Sequence, residues 1–217
     1  MSKSSVPAAP ARRRRKEARP AELLAAALEL FVERGFAATR LDEVAARAGV
    51  SKGTLYLYFA SKEELFKAVI RQGILPVLAE GEEMLAQHRG DAASLLQDLM
   101  RRWWDLTGNT PLGGVPKLMI SEAGNFPEVA RYYHENVIQR VHDLLGGVLR
   151  RGIENRDFRP VNIESAIDVI SAPMLMLSIW QHSMAPCSCG GMEDPETYLR
   201  THVDLLLNGL RAKEMSE

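Results

Sequence analysis

An all-α fold is predicted by three observations. Apolar residues recur at helical spacing through nearly all of the 217-residue chain, no run keeps the alternation of an exposed strand, and turn-forming residues fall between the periodic stretches. The first helix opens with Pro20 near its N-terminal turn, carries Leu24, Leu28 and Phe31 on one stripe and ends at Gly35. Residues 1–19, rich in Ser, Pro and Ala and then in arginine, read as a flexible basic arm. Leu41, Val44, Ala45 and Ala48 mark a short second helix that Gly49 stops. Ser51 is placed to cap a third helix through Phe59, and Ser61 with Glu64 forms the S-x-x-E start of a fourth. Further helices are expected at about 62–79, 91–107, 116–123, 126–153, 162–184 and 195–212. The breaks coincide with Gly90-Asp91, residues 111–116, residues 125–127, residues 157–160 and residues 186–195.

Composition and charge narrow the function. With 46% hydrophobic residues the chain can bury real cores, and no stretch reaches the roughly 18 uninterrupted apolar residues of a membrane span. The N-terminus has basic residues without the apolar run of a secretion signal, so a cytoplasmic protein without a membrane partner is expected. Two cysteines, Cys187 and Cys189, are too few and too close for a disulfide framework. The net charge of −1 hides an asymmetry: residues 1–75 hold 14 Lys+Arg against 8 Asp+Glu, leaving 13 against 20 in the remainder. A basic head on an acidic body suits a protein whose one end approaches phosphates; a solvated charged face explains the same numbers.

A helix-turn-helix frame fits residues 41–60. With Leu41 as the first position, the fifth is Ala45, where two helices cross and only a small side chain fits, and the ninth is Gly49, where the chain turns tightly. Val44, Ala48, Val50, Leu55 and Tyr58 fill the positions between the helices. On the third helix Leu55 and Phe59 should face the core, which turns Gly53 and Leu57 outward and puts Lys52, Thr54, Tyr56 and Tyr58 on the flanks. Gly53 lets backbone approach a groove, Leu57 offers apolar contact to a thymine methyl, and the hydroxyls and Lys52 suit phosphates. Lys62 adds a charge at the start of the next helix.

The string from Thr39 to Phe66, TRLDEVAARAGVSKGTLYLYFASKEELF, closely resembles the DNA-binding domain of the tetracycline-repressor (TetR/AcrR) family, over about residues 20–70. The resemblance implies a homodimer that sets two third helices in successive major grooves of a palindromic operator in double-stranded DNA, with a small-molecule effector bound in the C-terminal domain. It implies DNA-contact roles for Thr39, Lys52, Gly53, Thr54, Tyr56, Tyr58 and Lys62. Arg40 departs from the small hydroxyl residue common at its position and is a candidate contact of a different kind. The arginines at 12–15 are candidates for backbone or minor-groove contact. The division expected is a basic arm at 1–19, a three-helix DNA-binding domain at 20–66 and a helical ligand-binding and dimerisation domain at 67–217.

In that second domain Trp103, Trp104, Met119, Phe126, Tyr133, Met174 and Trp180 are the candidate lining of an apolar effector cavity, because methionine repacks easily and aromatic rings offer both faces and polar tips. Core packing is the other reading of each. Glu122, His134 and His182 are the polar groups near the cluster, and Pro173 interrupts an apolar helix. Ile163, Ile167 and Ile170, with Val203, Leu206, Leu207 and Leu210, make the last two helices more apolar than solvent-facing helices, and in the family this pair forms the dimer interface. Cys187 and Cys189, with His182, offer soft ligands for a metal or two thiols for redox sensing. The C-x-C spacing lacks the gap of common zinc knuckles, so neither a metal nor a cofactor is expected.

Enzymatic motifs fail. Residues 108–113 have Walker spacing but are followed by Gly114 rather than Lys, and His134-Glu135 lacks a second histidine at i+4. The function expected is transcriptional regulation, as a repressor released from its operator by a small apolar or aromatic ligand, with efflux or resistance genes as targets. The alternatives are a ligand-binding protein that has lost its operator, or a metal- or redox-sensing regulator.

Overall fold

The computed structural model describes residues 11–108, 110–187 and 194–212. Among them the regular elements are all helical. They are α1 (Ala11–Arg34), α2 (Leu41–Arg47), α3 (Lys52–Tyr56), α4 (Lys62–Val69), α5 (Leu75–Gln87), α6 (Ala92–Thr107), α7 (Val115–Glu122), α8 (Pro127–Tyr133), α9 (Gln139–Glu154), α10 (Ile163–Ser183) and α11 (Pro195–Leu210). The starts are chemically marked. Ser51, Ser61, Asp91, Asn162 and Asp194 each accept a backbone N–H from three residues on, at 2.8 to 3.2 Å, and a cap of this kind is worth about 1 kcal/mol.

Two boundaries differ from the sequence reading. Helix α1 begins at Ala11, with Pro20 inside it rather than in its first turn. A proline ring is compatible with helical φ and forfeits one hydrogen bond, while the Ala, Arg, Lys and Glu residues before it are strong helix formers. Residues 1–10 of the expected arm lie outside the described residues. The fourth helix does not end near 79: a π turn at Ile70–Ile74 joins α4 to α5, and the rod continues to Gln87. Pro76 follows directly on that turn, where the hydrogen-bond ladder is already shifted, and Gly81 serves packing. A Cβ at Gly81 would come within 2.9 Å of Leu144 Cδ2. A second π turn, His134–Ile138, joins α8 to α9.

Two cores hold these rods together. The first gathers α1 to α5 and extends into α7, α8 and the second π turn through Val115, Leu118, Met119, Val129, Tyr133 and Val137. The second packs α6, α9, α10 and α11 around Leu95, Leu96, Val148, Leu149 and Phe158. The division expected between residues 66 and 67 falls inside α4, and the first core runs across it.

Helix α10 is the most apolar of the long helices among the described residues. It is long and apolar enough to cross a membrane by length and composition, with a mean hydropathy of 1.4 in its most apolar window. The sequence reading looked for uninterrupted apolar residues, and Ser171, Pro173 and Ser178 interrupt this one. Only 28% of the window is buried within the chain, which leaves Val169, Leu175 and Met176 exposed.

Candidate nucleic-acid interface and effector cavity

The reading head is built from the core outward. Val44 and Ala45 of α2 and Leu55 of α3 are buried, with Phe59 just beyond, so α3 is pinned by the face opposite the one it presents. Gly49 makes the turn at φ +67°, and Val50 N–H donates to Ala45 O at 2.9 Å to close it. Arg47 clips α2 onto α1 by donating to Glu33 at 3.0 Å and to Glu29 at 3.2 Å, and this guanidinium holds the Glu33 carboxyl below its ordinary range. Arg34 donates to Glu43 at 2.9 Å in the same seam.

What α3 shows to solvent is a continuous surface. Lys52 and Gly53 are exposed, Tyr56 is 47% exposed and Leu57 82%, with Thr54 and Tyr58 half-buried at the edges. The Lys52 ammonium lies 6.0 Å from the Tyr56 ring centroid, and the Thr54 hydroxyl sits 2.9 Å from the Ser51 cap. This surface combines an apolar side chain with a cation and hydroxyls, the groups that base edges and phosphates respectively can meet. Arg40 is also exposed, but its guanidinium forks onto Asp42 at 3.2 and 3.3 Å, so part of its charge is already matched.

Two candidate contacts lie elsewhere. Thr39 is 2% exposed, and its hydroxyl donates into the end of α1, to Gly35 O at 2.7 Å and Leu30 O at 3.1 Å. Lys62 donates to three backbone carbonyls, those of Phe36 at 2.6 Å, Ala37 at 3.0 Å and Thr39 at 3.1 Å, and lies 4.6 Å from the Phe36 ring centroid. Its three protons are all used, and burial pulls its pKa below the ordinary lysine value. In this arrangement both residues fasten the α1–α2 connection instead of presenting polar atoms to a phosphate. Spacing alone does not reveal this, because carbonyls that stop at a helix end attract cations just as phosphates do.

The same connection is where head meets body. Glu122, at the end of α7, accepts the Ala37 N–H at 3.1 Å, and Phe126 packs edge-on against Phe36 with centroids 4.6 Å apart. Phe36 in turn touches Phe31 and Phe66 at 5.3 and 5.6 Å, an aromatic cluster whose pairs are each worth about 0.5 to 1.5 kcal/mol beyond area burial. Gly35, at φ +88°, allows the close approach, since a Cβ there would stand 2.9 Å from Glu122 Oε1.

The body contains an apolar cavity of about 160 Å³ between α5, α6, α9 and α10. Trp103, Tyr133 and Met174 of the candidate residues line it. Four others do not. Met119 and Phe126 pack on Phe36 and Phe66 beneath the head, Trp104 faces an outer groove between α6 and α11, and Trp180 lines none of these spaces. Sequence reasoning missed Ile74, Val77, Leu78 and Met84, a wall supplied by the rod that begins at the head; their i, i+3, i+4, i+10 spacing was the available signal. Of the polar candidates, Glu122 belongs to the seam and His134 is exposed. His182 has its pKa lowered by burial, and its own carbonyl accepts from Lys117 at 2.7 Å. Cys187 donates weakly to Ser183 O at 3.6 Å, while Cys189 lies outside the described residues. Among the described residues no three His, Cys, Asp or Glu side chains are grouped to hold a metal.

Comparison with known proteins agrees with this layout. Residues 23–69 match the family model of bacterial regulatory proteins of the tetR family, and residues 86–186 match that of the tetracycline-repressor-like C-terminal domain. The HTH-type transcriptional regulator YfiR of Bacillus subtilis is 31% identical over 150 residues, covering 67% of this chain and 71% of that protein. The HTH-type transcriptional activator FasR of Mycolicibacterium smegmatis is 49% identical over 59 residues, and the chain spans only 27% of its length. The crystal structure of the transcriptional regulator FadR from Bacillus subtilis in complex with stearoyl-CoA superposes with a TM-score of 0.73 at 21% identity, covering 87% of this chain and 98% of that one. The chain belongs to the tetR family of bacterial transcriptional regulators, with a helix-turn-helix head and a helical C-terminal domain of the ligand-binding type.

Proposed function

We propose that this protein is a cytoplasmic homodimeric repressor that occupies a palindromic operator through Lys52, Gly53, Thr54, Tyr56, Leu57 and Tyr58, and leaves it when a small molecule fills the α5–α6–α9–α10 cavity. The observation that carries the reading is the exposed Tyr56–Leu57 surface on a helix pinned from behind by Leu55 and Phe59. Dimerisation through α10 and α11 is supported by the exposed Val169 and Met176 on the long apolar α10 and by the exposed Leu205 on α11. The solved FadR is in complex with stearoyl-CoA, a ligand with a long apolar acyl chain, which supports a small-molecule effector in this fold; control of efflux or resistance genes is one use for such a switch.

Two stiff links join cavity and head. The α4–α5 rod carries Ile74 to Met84 in the cavity wall at one end and Lys62 under the head at the other. Helix α7 runs from Pro116 in the wall to Glu122 on Ala37 N. A ligand that fits the cavity of one dimer geometry better than the other shifts the spacing of the two heads, and its effect is limited to that difference in affinity.

The test is binding of the purified chain to DNA fragments from upstream of its own coding sequence, at two salt concentrations. Selective binding that weakens steeply as salt rises is expected, because each neutralised phosphate releases counterions. Equal affinity for upstream and scrambled fragments overturns the reading.

A further inference from the structure

The cavity wall is almost wholly apolar, and its polar groups specify what it accepts. Its one charged lining residue, Arg102, is exposed and paired with Glu80, so it offers no unmatched cation to an acid inside. The Thr107 hydroxyl is spent on Trp103 O at 2.7 Å. Two hydroxyls remain. Tyr133 is 9% exposed, and among the described residues its hydroxyl has no hydrogen-bond partner. Ser171 lines the same cavity from α10, and its Oγ is buried and likewise without a partner. A helical serine ordinarily satisfies itself on the carbonyl one turn back; this one does not. The Ser171 hydroxyl is left buried and unpaired at a cost in stability, which a ligand with a matching acceptor recovers. A carboxylate would meet the same two donors but no unmatched cation, and they do not replace the hydration of a full charge. Burial also drives the Tyr133 pKa upward, so this group stays a neutral donor throughout the physiological range.

Size adds a limit. A cavity of about 160 Å³ is close to one that holds a single benzene ring, about 150 Å³. We infer that the effector is a compact uncharged molecule, of one ring or a short chain, whose carbonyl or hydroxyl is held by Tyr133 and Ser171. This rests on the reading of the cavity as the effector site and names the chemical class it selects.

The test uses three probes of one size on the full chain without DNA, by calorimetry at neutral pH: acetophenone, ethylbenzene and benzoate. Acetophenone is expected to bind about tenfold more tightly than ethylbenzene, and benzoate not measurably, since one good hydrogen bond recovered in a dry site is worth roughly that factor. Tyr133→Phe and Ser171→Ala, each checked for an unchanged melting curve, are expected to reduce acetophenone toward the ethylbenzene value and leave ethylbenzene itself unaffected. Benzoate binding as well as acetophenone, or a preference that survives both substitutions, overturns the inference while leaving an effector cavity in place. Failure of all three probes to bind overturns the inference and the effector reading of the cavity together; operator binding, measured separately, is untouched by either result.

Discussion

Changing Lys52, Tyr56 and Leu57 together to alanine lowers affinity for the operator at least about a hundredfold, because base-edge contacts are worth roughly 1 to 3 kcal/mol each and a phosphate contact adds to them. The melting temperature stays nearly unchanged. Tyr56 and Leu57 are 47% and 82% exposed, so their removal opens no cavity. The single variants separate their roles. Lys52→Ala weakens all sequences alike and reduces the slope of log affinity against log salt by about one, whereas Leu57→Ala relaxes preference at one base step. Leu55→Ala is the contrasting control: that side chain is fully buried, and truncation costs about 2 to 5 kcal/mol of stability. A triple variant that binds operator normally places the reading surface elsewhere.

Val169→Glu combined with Met176→Glu converts a dimer to single folded chains. The two positions are a heptad apart on α10 and are 63% and 50% exposed in the isolated chain, so the substitutions are harmless there and become four buried, like-charged groups in a symmetric pair. Operator affinity falls about 10² to 10⁴-fold, because each head then binds its half-site without help from the other. Sedimentation at several protein concentrations is the check; an unchanged dimer moves the interface off this face of α10.

Much of the head was legible because it depends on local rules. A small residue at Ala45, glycine at Gly49 and serine caps at Ser51 and Ser61 each answer a backbone requirement within a few positions. Leu55 inside and Leu57 outside follow from helical periodicity alone. The bonds that Thr39 and Lys62 make within the chain were not legible, because their partners, the carbonyls of Leu30, Gly35, Phe36 and Ala37, are set by how α1 ends, which no periodicity encodes. The cavity was half legible for a related reason. Bulky adaptable residues mark the body, but whether Trp103 or Trp104 faces the space depends on the rotation of α6 against α5 and α10. Met119 and Phe126 went to the seam because Phe36 reaches across from the head to meet them. The sequence reading carried the fourth helix across Pro76 to about 79 but not on through Gly81 to Gln87, because a glycine weakens a helix unless a close-packed neighbour, here Leu144, leaves no room for a side chain.

Selection of bound sequences from a random DNA pool by the purified full chain tests the central claim most directly, since it presumes nothing about which gene is controlled. The expected product is an inverted repeat whose half-sites lie about one helical turn, 10 base pairs, or more apart, matching two α3 helices related by a two-fold axis. A pool that emerges with no enriched motif, or with a single unpaired half-site, contradicts a dimeric operator-binding regulator.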